Sequence, residues 1–399
     1  MFDMTSLKNG LENVSGFYFD GTSAGFKAGG APDLAFIRAD EPCEVSAVFT
    51  SNRFQAAPIR HFKRYGKHFK TNFVLMNSKN ANAMTGDAGV NDIDDIFTEL
   101  SKAPNFKFEL TNPVMSSTGV IGYRLNTEKI ISAALKFDLS ARNSDAAAHA
   151  IMTTDRFKKE IAFRVDLEGG KSFNVACICK GAGMINPCLA TMLCFILTDA
   201  AIPRSDMDEL LADTVKTSFN AISVDGDTST NDTVMLLASG KSGAYNKEAF
   251  KFALDTITKQ IALNLVKDGE GSSKVVAFEV RGAASDEQAE KAAKALSNSL
   301  LVKTAIFGED PNWGRIASTI GASGIECEEA RLVIHYDDVL VFDHDHPQLD
   351  SERENAAHAV MQKDSYKISC DLGLGAGAFT AYGCDLGHEY VKINADYRS

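Results

Sequence analysis

The chain has 399 residues, of which 45% are hydrophobic, enough for one large domain or two ordinary ones. Its net charge of −12 argues against nucleic acid as a partner, because binding to phosphates requires a basic surface. The eight cysteines form no CxxC pair and suit reduced cytosolic thiols better than a disulfide scaffold.

The chain shows no targeting or membrane signal. Its first residues have no basic stretch followed by an apolar one, as a signal peptide would. The apolar run 192–197 is far shorter than the ~18–20 residues of a membrane helix. We therefore expect a cytoplasmic protein without a membrane partner.

The N-terminal half alternates short strand-like runs with helical spacing. Strands are predicted from short apolar runs and helices from apolar residues repeating at three or four positions. Ser144 is a candidate N-cap. The predicted strands cover 34–37, 45–49, 73–76, 107–114 and 173–179, and the predicted helices cover 91–103, 127–137 and 144–152.

The C-terminal half continues the alternation, which indicates an α/β protein. Ser205 is a candidate N-cap, Ser285 with Gln288 fits a capping box, and Trp313 is expected to pack a loop against the core. The predicted helices cover 205–222, 246–266, 285–300 and 351–362. The predicted strands cover 234–238, 274–280, 332–336, 339–342, 367–372 and 378–384, followed by a strand and tail over 391–399.

Two acidic clusters resemble metal sites only superficially. Asp225, Asp227 and Asp232 lack the Gly and Glu positions of a calcium-binding loop. The alternating Asp and His residues of 343–346 are interpreted as a solvated loop. The sequence therefore predicts no metal.

The segment 180–200, KGAGMINPCLATMLCFILTDA, places a hydroxyl residue directly behind a Gly/Pro-rich loop. If the Thr191 hydroxyl attacks the Ala190 carbonyl, the peptide becomes an ester that water then cleaves. The new α-amino group of Thr191 would titrate near pH ~8 and could serve as a base beside its own hydroxyl. The alternative from spacing alone is a threonine that caps a buried helix or starts a strand.

Five long motifs and the chain end carry a resemblance that spans essentially the whole chain. The motifs are NSKNANAMTG (77–86), SSTGVIG (116–122), KGAGMINPCLATML (180–193), VDGDTSTNDT (224–233) and FGEDPNWGRI (307–316), and the chain ends in NADYRS (394–399). Together they resemble the glutamate N-acetyltransferase family, also called ornithine acetyltransferase.

The resemblance implies a fold of two packed β-sheets with helices outside, an αββα arrangement. It also implies self-cleavage between Ala190 and Thr191, into an α chain (1–190) and a β chain (191–399) that stay together as a heterotetramer. Thr191 would be the nucleophile, and Thr118 and Gly119 would form the oxyanion hole. The residues implied for substrate binding are Thr154, Lys180, Thr191, Glu270, Asn394 and Ser399.

The implied reaction is acetyl transfer from N2-acetyl-L-ornithine to L-glutamate in arginine biosynthesis, without a metal or redox cofactor. Some members also use acetyl-CoA as a co-substrate, and the residues do not separate the two types. Two alternatives stay open. One is a self-processing aminopeptidase or amidohydrolase with an N-terminal threonine, and the other is an uncleaved amino-acid-binding protein.

Overall fold

The computed structural model describes residues 1–186 and 192–396, which divide into two units, each with its own β-sheet. The first unit comprises the described residues of Met1–Gly181, Cys188–Ser218 and Thr228–Ile261. The second comprises the described residues of Ala182–Pro187, Phe219–Asp227 and Ala262–Ser399. No helix within the described ranges is long and apolar enough to cross a membrane.

Nine strands of the described chain form the mixed sheet of the first unit. They are β1 (Phe2–Leu7), β2 (Phe17–Thr22), β3 (Leu34–Phe49), β4 (Lys70–Asn77), β5 (Val114–Ser117), β6 (Lys159–Leu167), β7 (Ser172–Lys180), β8 (Leu193–Thr198) and β9 (Thr233–Ala238). Their order is β1-β6-β7-β8-β9-β3-β4-β5, and β2 pairs with β3. The pairs β8–β9 and β4–β5 are parallel and the other pairs are antiparallel.

Successive side chains of a strand point to opposite faces of the sheet, and both faces of this sheet carry apolar side chains. Helices therefore cover both faces. Ala35 and Ile37 of β3 belong to one buried cluster, and Leu34 and Phe36 belong to another. The helices of this unit are α1 (Ala57–Lys63), α2 (Gly86–Ser101), α3 (Thr127–Ala134), α4 (Ser144–Ile151) and α5 (Arg204–Thr217). A longer helix, α6 (Lys247–Lys267), contains residues of both units.

The second unit has a smaller mixed sheet of five strands, in which β10 (Val275–Ala283) pairs in parallel with β13 (Ser365–Asp371) and antiparallel with β14 (Gly377–Cys384). The edge strand β12 (Val339–Phe342) pairs with β11 (Val333–Tyr336), which in turn pairs with β13. Val276 and Phe278 of β10 pack in one core with Ala292 and Leu296 of α7 (Asp286–Asn298). The other helices are α8 (Leu300–Phe307), α9 (Trp313–Ala322), α10 (Ser351–Met361) and α11 (His388–Ala395).

The predicted class is confirmed, because the chain forms two mixed sheets flanked by helices. Most predicted elements are present with shifted ends, and the two short strands predicted at 34–37 and 45–49 are parts of the single strand β3. Ser285 caps α7 as predicted, since its side chain accepts from the N–H of Gln288. The amide of Gln288 bonds Glu326 instead of completing the capping box.

Two predicted strands are wrong. Residues 107–113 are not a strand, because Asn112 has a left-handed φ of 41° and Pro113 has no N–H to donate. Phe106 and Phe108 pack instead against the ring of Phe73. The strand predicted from residue 391 is the second, since His388–Ala395 form α11, and residues 397–399 lie outside the described part of the chain.

The predicted helix ends also need correction. The helix predicted over 205–222 is α5, which follows Pro203 and ends at Thr217, so Ser205 is not its cap. Asn143 rather than Ser144 caps α4. The helix predicted to reach residue 300 ends at Asn298, because the Ser299 side chain caps the separate helix α8.

Other elements were not predicted at all. Strands β1, β2, β6 and β8 and helices α1, α8 and α9 have no counterpart among the predicted elements. Trp313 packs against the core as predicted, but it is the first residue of α9 and not part of a loop. Its ring stacks on Phe342 with 4.3 Å between centroids. The local sequence pattern could not predict this contact, because the two rings come from separate elements of the chain.

Candidate active site

Two of the predicted motifs meet at the predicted oxyanion residues of the first unit. Thr118 follows β5, and its N–H donates to the Asn77 carbonyl at the end of β4 at 3.0 Å. Gly119 has a φ of 134°, and a Cβ there would collide with the backbone of Lys79. The parallel pairing of β4 and β5 therefore brings the start of the 77–86 motif against Thr118 and Gly119. Only glycine fits at position 119.

Lys180 lies beside this pair. It is the last residue of β7, its side chain is buried, and its Nζ donates to Thr118 Oγ1 at 3.4 Å. With 2% exposure, Lys180 is not an ordinary solvated residue at a strand end. A buried ammonium next to a hydroxyl is suited to binding an anionic group.

Thr154 is held in the same unit through its neighbour Asp155. The Asp155 carboxylate accepts from the Thr153 N–H at 2.9 Å and from the Gly181 N–H at 2.7 Å. Its Oδ1 also forms an ion pair with Lys159 Nζ at 2.8 Å, and both of these side chains are fully buried. One carboxylate thus connects the turn that carries Thr154 with the strand end that carries Lys180.

The electrostatics of Asp155 reflect this environment. Burial alone would raise the pKa of its carboxyl, but attraction to Lys180 and Lys159 outweighs burial and lowers the pKa to about 2. Asp155 is therefore an anion throughout the physiological pH range. Sequence reasoning passed over it, because its partner Gly181 is distant in the chain.

The predicted scissile bond lies outside the described residues, as do Ala190, Thr191 and Ser399. The first described residue beyond it, Met192, donates its N–H to Asp232 Oδ1 at 3.2 Å. Burial raises the pKa of the Asp232 carboxyl well above its usual range. The 224–233 motif thus supplies a buried carboxyl group that accepts a hydrogen bond from the residue directly after Thr191.

The same motif supports the oxyanion residues. The side chain of Asn231 donates to the carbonyls of Ala81 at 2.6 Å and Ser117 at 2.8 Å. Three motifs that lie far apart in the sequence therefore share one buried hydrogen-bond network in the first unit. No signal in the local sequence pattern identified Asn231 or Asp232 as members of it.

The second unit brings together two other predicted substrate residues. Asn394, on α11, donates from its side chain to Glu270 Oε2 at 2.7 Å. The backbone N–H of Glu270 donates to the Ala182 carbonyl at 2.9 Å. A Cβ on Gly183 would lie 2.5 Å from the Glu270 carboxylate, so the glycine allows this close approach.

Asp225 holds the segment that precedes the predicted cleavage site, again within the second unit. Its carboxylate accepts from the N–H groups of Met184 at 2.6 Å and Ile185 at 2.9 Å. Burial raises the pKa of this carboxyl. Among the described residues, no group of three or more His, Cys, Asp or Glu side chains is arranged to hold a metal ion.

Comparison with known proteins gives a consistent result. The model of the ArgJ family matches residues 18–399. The arginine biosynthesis bifunctional protein ArgJ of Wolinella succinogenes is 57% identical over 100% of both chains, and that of Geobacter sulfurreducens is 41% identical over 97% of this chain and 100% of its own. The crystal structure of arginine biosynthesis bifunctional protein ArgJ from Bacillus halodurans is 39% identical, with a TM-score of 0.48 over 50% of this chain and 97% of that chain.

Proposed function

Because the chain belongs to the ArgJ family, we propose that it transfers the acetyl group of N2-acetyl-L-ornithine to L-glutamate, giving L-ornithine and N-acetyl-L-glutamate. The observation that carries the proposal is the buried contact of Lys180 with Thr118. In the proposal, Lys180 is a cation that can bind a substrate carboxylate, and the neighbouring Thr118 is a donor for an oxyanion. The two groups together suit acyl transfer between amino acids.

We propose that the enzyme first cuts its own chain. The Thr191 hydroxyl attacks the Ala190 carbonyl carbon, the peptide C–N bond breaks, and the freed nitrogen takes the hydroxyl proton. Water then hydrolyses the resulting ester, leaving the Ala190 carboxylate and the Thr191 amine. The α chain (1–190) and the β chain (191–399) remain associated, and we propose a heterotetramer of two of each.

The first half of the transfer forms an acetyl ester on Thr191. The free α-amine takes the hydroxyl proton while the oxygen attacks the acetyl carbonyl of N2-acetylornithine. Thr118 and Gly119 stabilise the oxyanion, and one such donor is typically worth ~3–4 kcal/mol of barrier. The intermediate collapses by breaking the amide C–N bond, and the leaving ornithine amine takes the proton from the Thr191 ammonium.

The second half runs the same steps with glutamate. The glutamate amine attacks the acetyl ester, the C–O bond to Thr191 breaks, and the threonine oxygen regains a proton. Lys180 would bind a carboxylate of each amino acid, and Glu270 with Asn394 would bind an amine. Thr154 and Ser399 complete the proposed substrate contacts, and no step needs a metal or redox cofactor.

The relatives carry the word bifunctional in their names, which supports a second activity for this chain. We propose that acetyl-CoA also acetylates Thr191, with coenzyme A as the leaving group. Glutamate would then accept the acetyl group as before. Formation of N-acetylglutamate from acetyl-CoA and glutamate alone, without acetylornithine, tests this part of the proposal.

The central experiment combines a denaturing gel with intact-mass spectrometry. The purified wild type should give two fragments of similar size in place of one 43.1 kDa chain. After mixing with acetylornithine, the fragment that begins at Thr191 should gain one acetyl group. Thr191→Ala should remain one chain without transferase activity, whereas Thr191→Ser should retain some cleavage and some transfer.

The same experiment separates the alternatives. Release of free acetate without N-acetylglutamate would indicate an amidohydrolase, with water as the acceptor. A single intact chain that binds ornithine but transfers nothing would indicate an amino-acid-binding protein. An intact chain that transfers acetyl groups at full rate would contradict the proposed role of Thr191.

A further inference from the structure

A buried carboxylate that no step of the proposed reaction uses lies between two of the predicted substrate residues. Asp155 follows Thr154 in the chain, and it accepts a hydrogen bond from Gly181, which follows Lys180. We infer that Asp155 is a positioning residue, which holds Thr154 and Lys180 in the geometry that binds the amino-acid substrate. The inference rests on the proposed function, because it assigns how that site is maintained.

The first argument is geometric. A carboxylate has about four acceptor positions, and Asp155 uses three of them for the N–H groups of Thr153 and Gly181 and for Lys159. The two backbone donors come from the turn after α4 and from the end of β7. Each is the direct neighbour of a predicted substrate residue, so a shift of the carboxylate would displace both residues.

The second argument is electrostatic. Lys159 and Lys180 are 1% and 2% exposed, and a buried cation without a counter-charge is strongly destabilising. Attraction to both lysines outweighs burial and keeps the pKa of Asp155 at about 2. Asp155 therefore supplies a negative charge beside two buried ammonium groups, one of which belongs to the predicted substrate residue Lys180.

The third argument concerns what Asp155 does not do. Its carboxylate is fully buried and engaged with protein groups. Its low pKa makes it a poor proton carrier near neutral pH. It should therefore influence substrate binding through Lys180 and Thr154 and leave the chemical step largely unaffected.

The test compares Asp155→Asn with Asp199→Asn in the full-length, self-cleaved enzyme. Asp199 is a matched control, since it is also a buried carboxyl of the first unit and accepts from the N–H groups of Asn174 and Ser15. For Asp155→Asn we expect KM for acetylornithine to rise at least roughly tenfold, with kcat within about threefold of wild type. Asp199→Asn should lower the melting temperature without changing KM.

Binding of ornithine, measured by calorimetry, provides a readout that does not depend on turnover. The dissociation constant should rise in Asp155→Asn by the same factor as KM. An unchanged KM and dissociation constant would overturn the inference, as would a loss of kcat at unchanged KM. If the wild type cleaves itself but transfers no acetyl group, the proposed function has failed, and the inference is then decided by ornithine binding alone.

A second variant covers the case in which Asp155→Asn does not fold. The double variant Asp155→Asn/Lys159→Met removes one buried charge of each sign, so the charge imbalance created by the single substitution is absent. A folded double variant with weakened ornithine binding supports the positioning role. Wild-type binding in the double variant would show that Asp155 serves only to neutralise Lys159.

Discussion

Each of the two units holds its own predicted site residues in a different way. In the first unit, Lys180 and Thr118 are 2% exposed and lie at the ends of β7 and β5, where neighbouring strands fix the backbone. In the second unit, Glu270 is 8% exposed and lies on a loop, and Asn394 is exposed on α11, a helix without a buried residue. The first unit therefore contributes a cation and a hydroxyl, and the second unit contributes a carboxylate and an amide.

This difference indicates which site residues should contribute most to substrate binding. Buried polar groups at strand ends have few alternative positions, and removing one leaves its partners unsatisfied. Groups on loops and exposed helices can move and can be replaced by water. We therefore expect substitutions in the first unit to have larger effects than chemically similar substitutions in the second.

The largest effect is expected for Lys180→Met, which removes the buried ammonium but keeps an apolar stem. Loss of a charged hydrogen bond to a carboxylate should reduce kcat/KM for acetylornithine by about 100-fold. Lys303→Met is the matched control, because Lys303 is equally buried in the second unit and donates to the Cys384 carbonyl. It should lower stability without raising KM, and an equal loss of kcat/KM in both variants would contradict the proposed role of Lys180.

A second effect should appear in the free energy of unfolding, which should fall at acidic pH because of Asp155 in the first unit. The pKa of Asp155 is about 2 when folded, against ~3.9 for an unfolded aspartate, so its contribution is fully present above the unfolded value. That contribution, about 2 kcal/mol, should be lost as the pH falls from about 4 towards 2. Urea unfolding across this pH range measures the free energy of unfolding of the wild type and of Asp155→Asn. The difference between them should become smaller as the pH falls, and a constant difference would contradict the proposed contribution of Asp155.

The sequence predicts the elements better than it predicts their ends. Helix α2 and strand β4 carry clear apolar periods, so they were found, although α2 begins earlier than predicted. Helix α11 has no buried side chain and therefore no period to detect. The break between α7 and α8 depends on a single cap by Ser299, which the continuous apolar spacing conceals.

The contacts within the predicted site were even harder to predict from the sequence than the ends of the elements. Resemblance named Lys180, Thr118 and Gly119 separately, but no local pattern could place Lys180 Nζ against Thr118 Oγ1. Asp155 was overlooked, because its role depends on Gly181 and on a buried lysine pair. Contacts between residues distant in sequence fix the site, whereas periodicity reports only on the local chain.

A smaller effect is expected for Glu270→Gln in the second unit. Glutamine can still accept from Asn394 but carries no charge, so KM for acetylornithine should rise roughly tenfold with a smaller change in kcat. Glu389→Gln, an exposed glutamate on α11, serves as the control and should leave KM unchanged. If Glu270→Gln reduces kcat/KM as much as Lys180→Met does, the proposed difference between the two units is wrong.

The smallest effect should come from Gly183→Ala, which changes no functional group. The added methyl would lie 2.5 Å from the Glu270 carboxylate, so the flexible end of that side chain must shift. We expect a rise in KM of roughly two- to fivefold, corresponding to less than about 1 kcal/mol. Gly321→Ala in α9 is the control, because a Cβ there meets no atom within 4 Å. Since a loop carboxylate can adjust, a loss of 100-fold or more in Gly183→Ala would show that the second unit holds its substrate group as rigidly as the first.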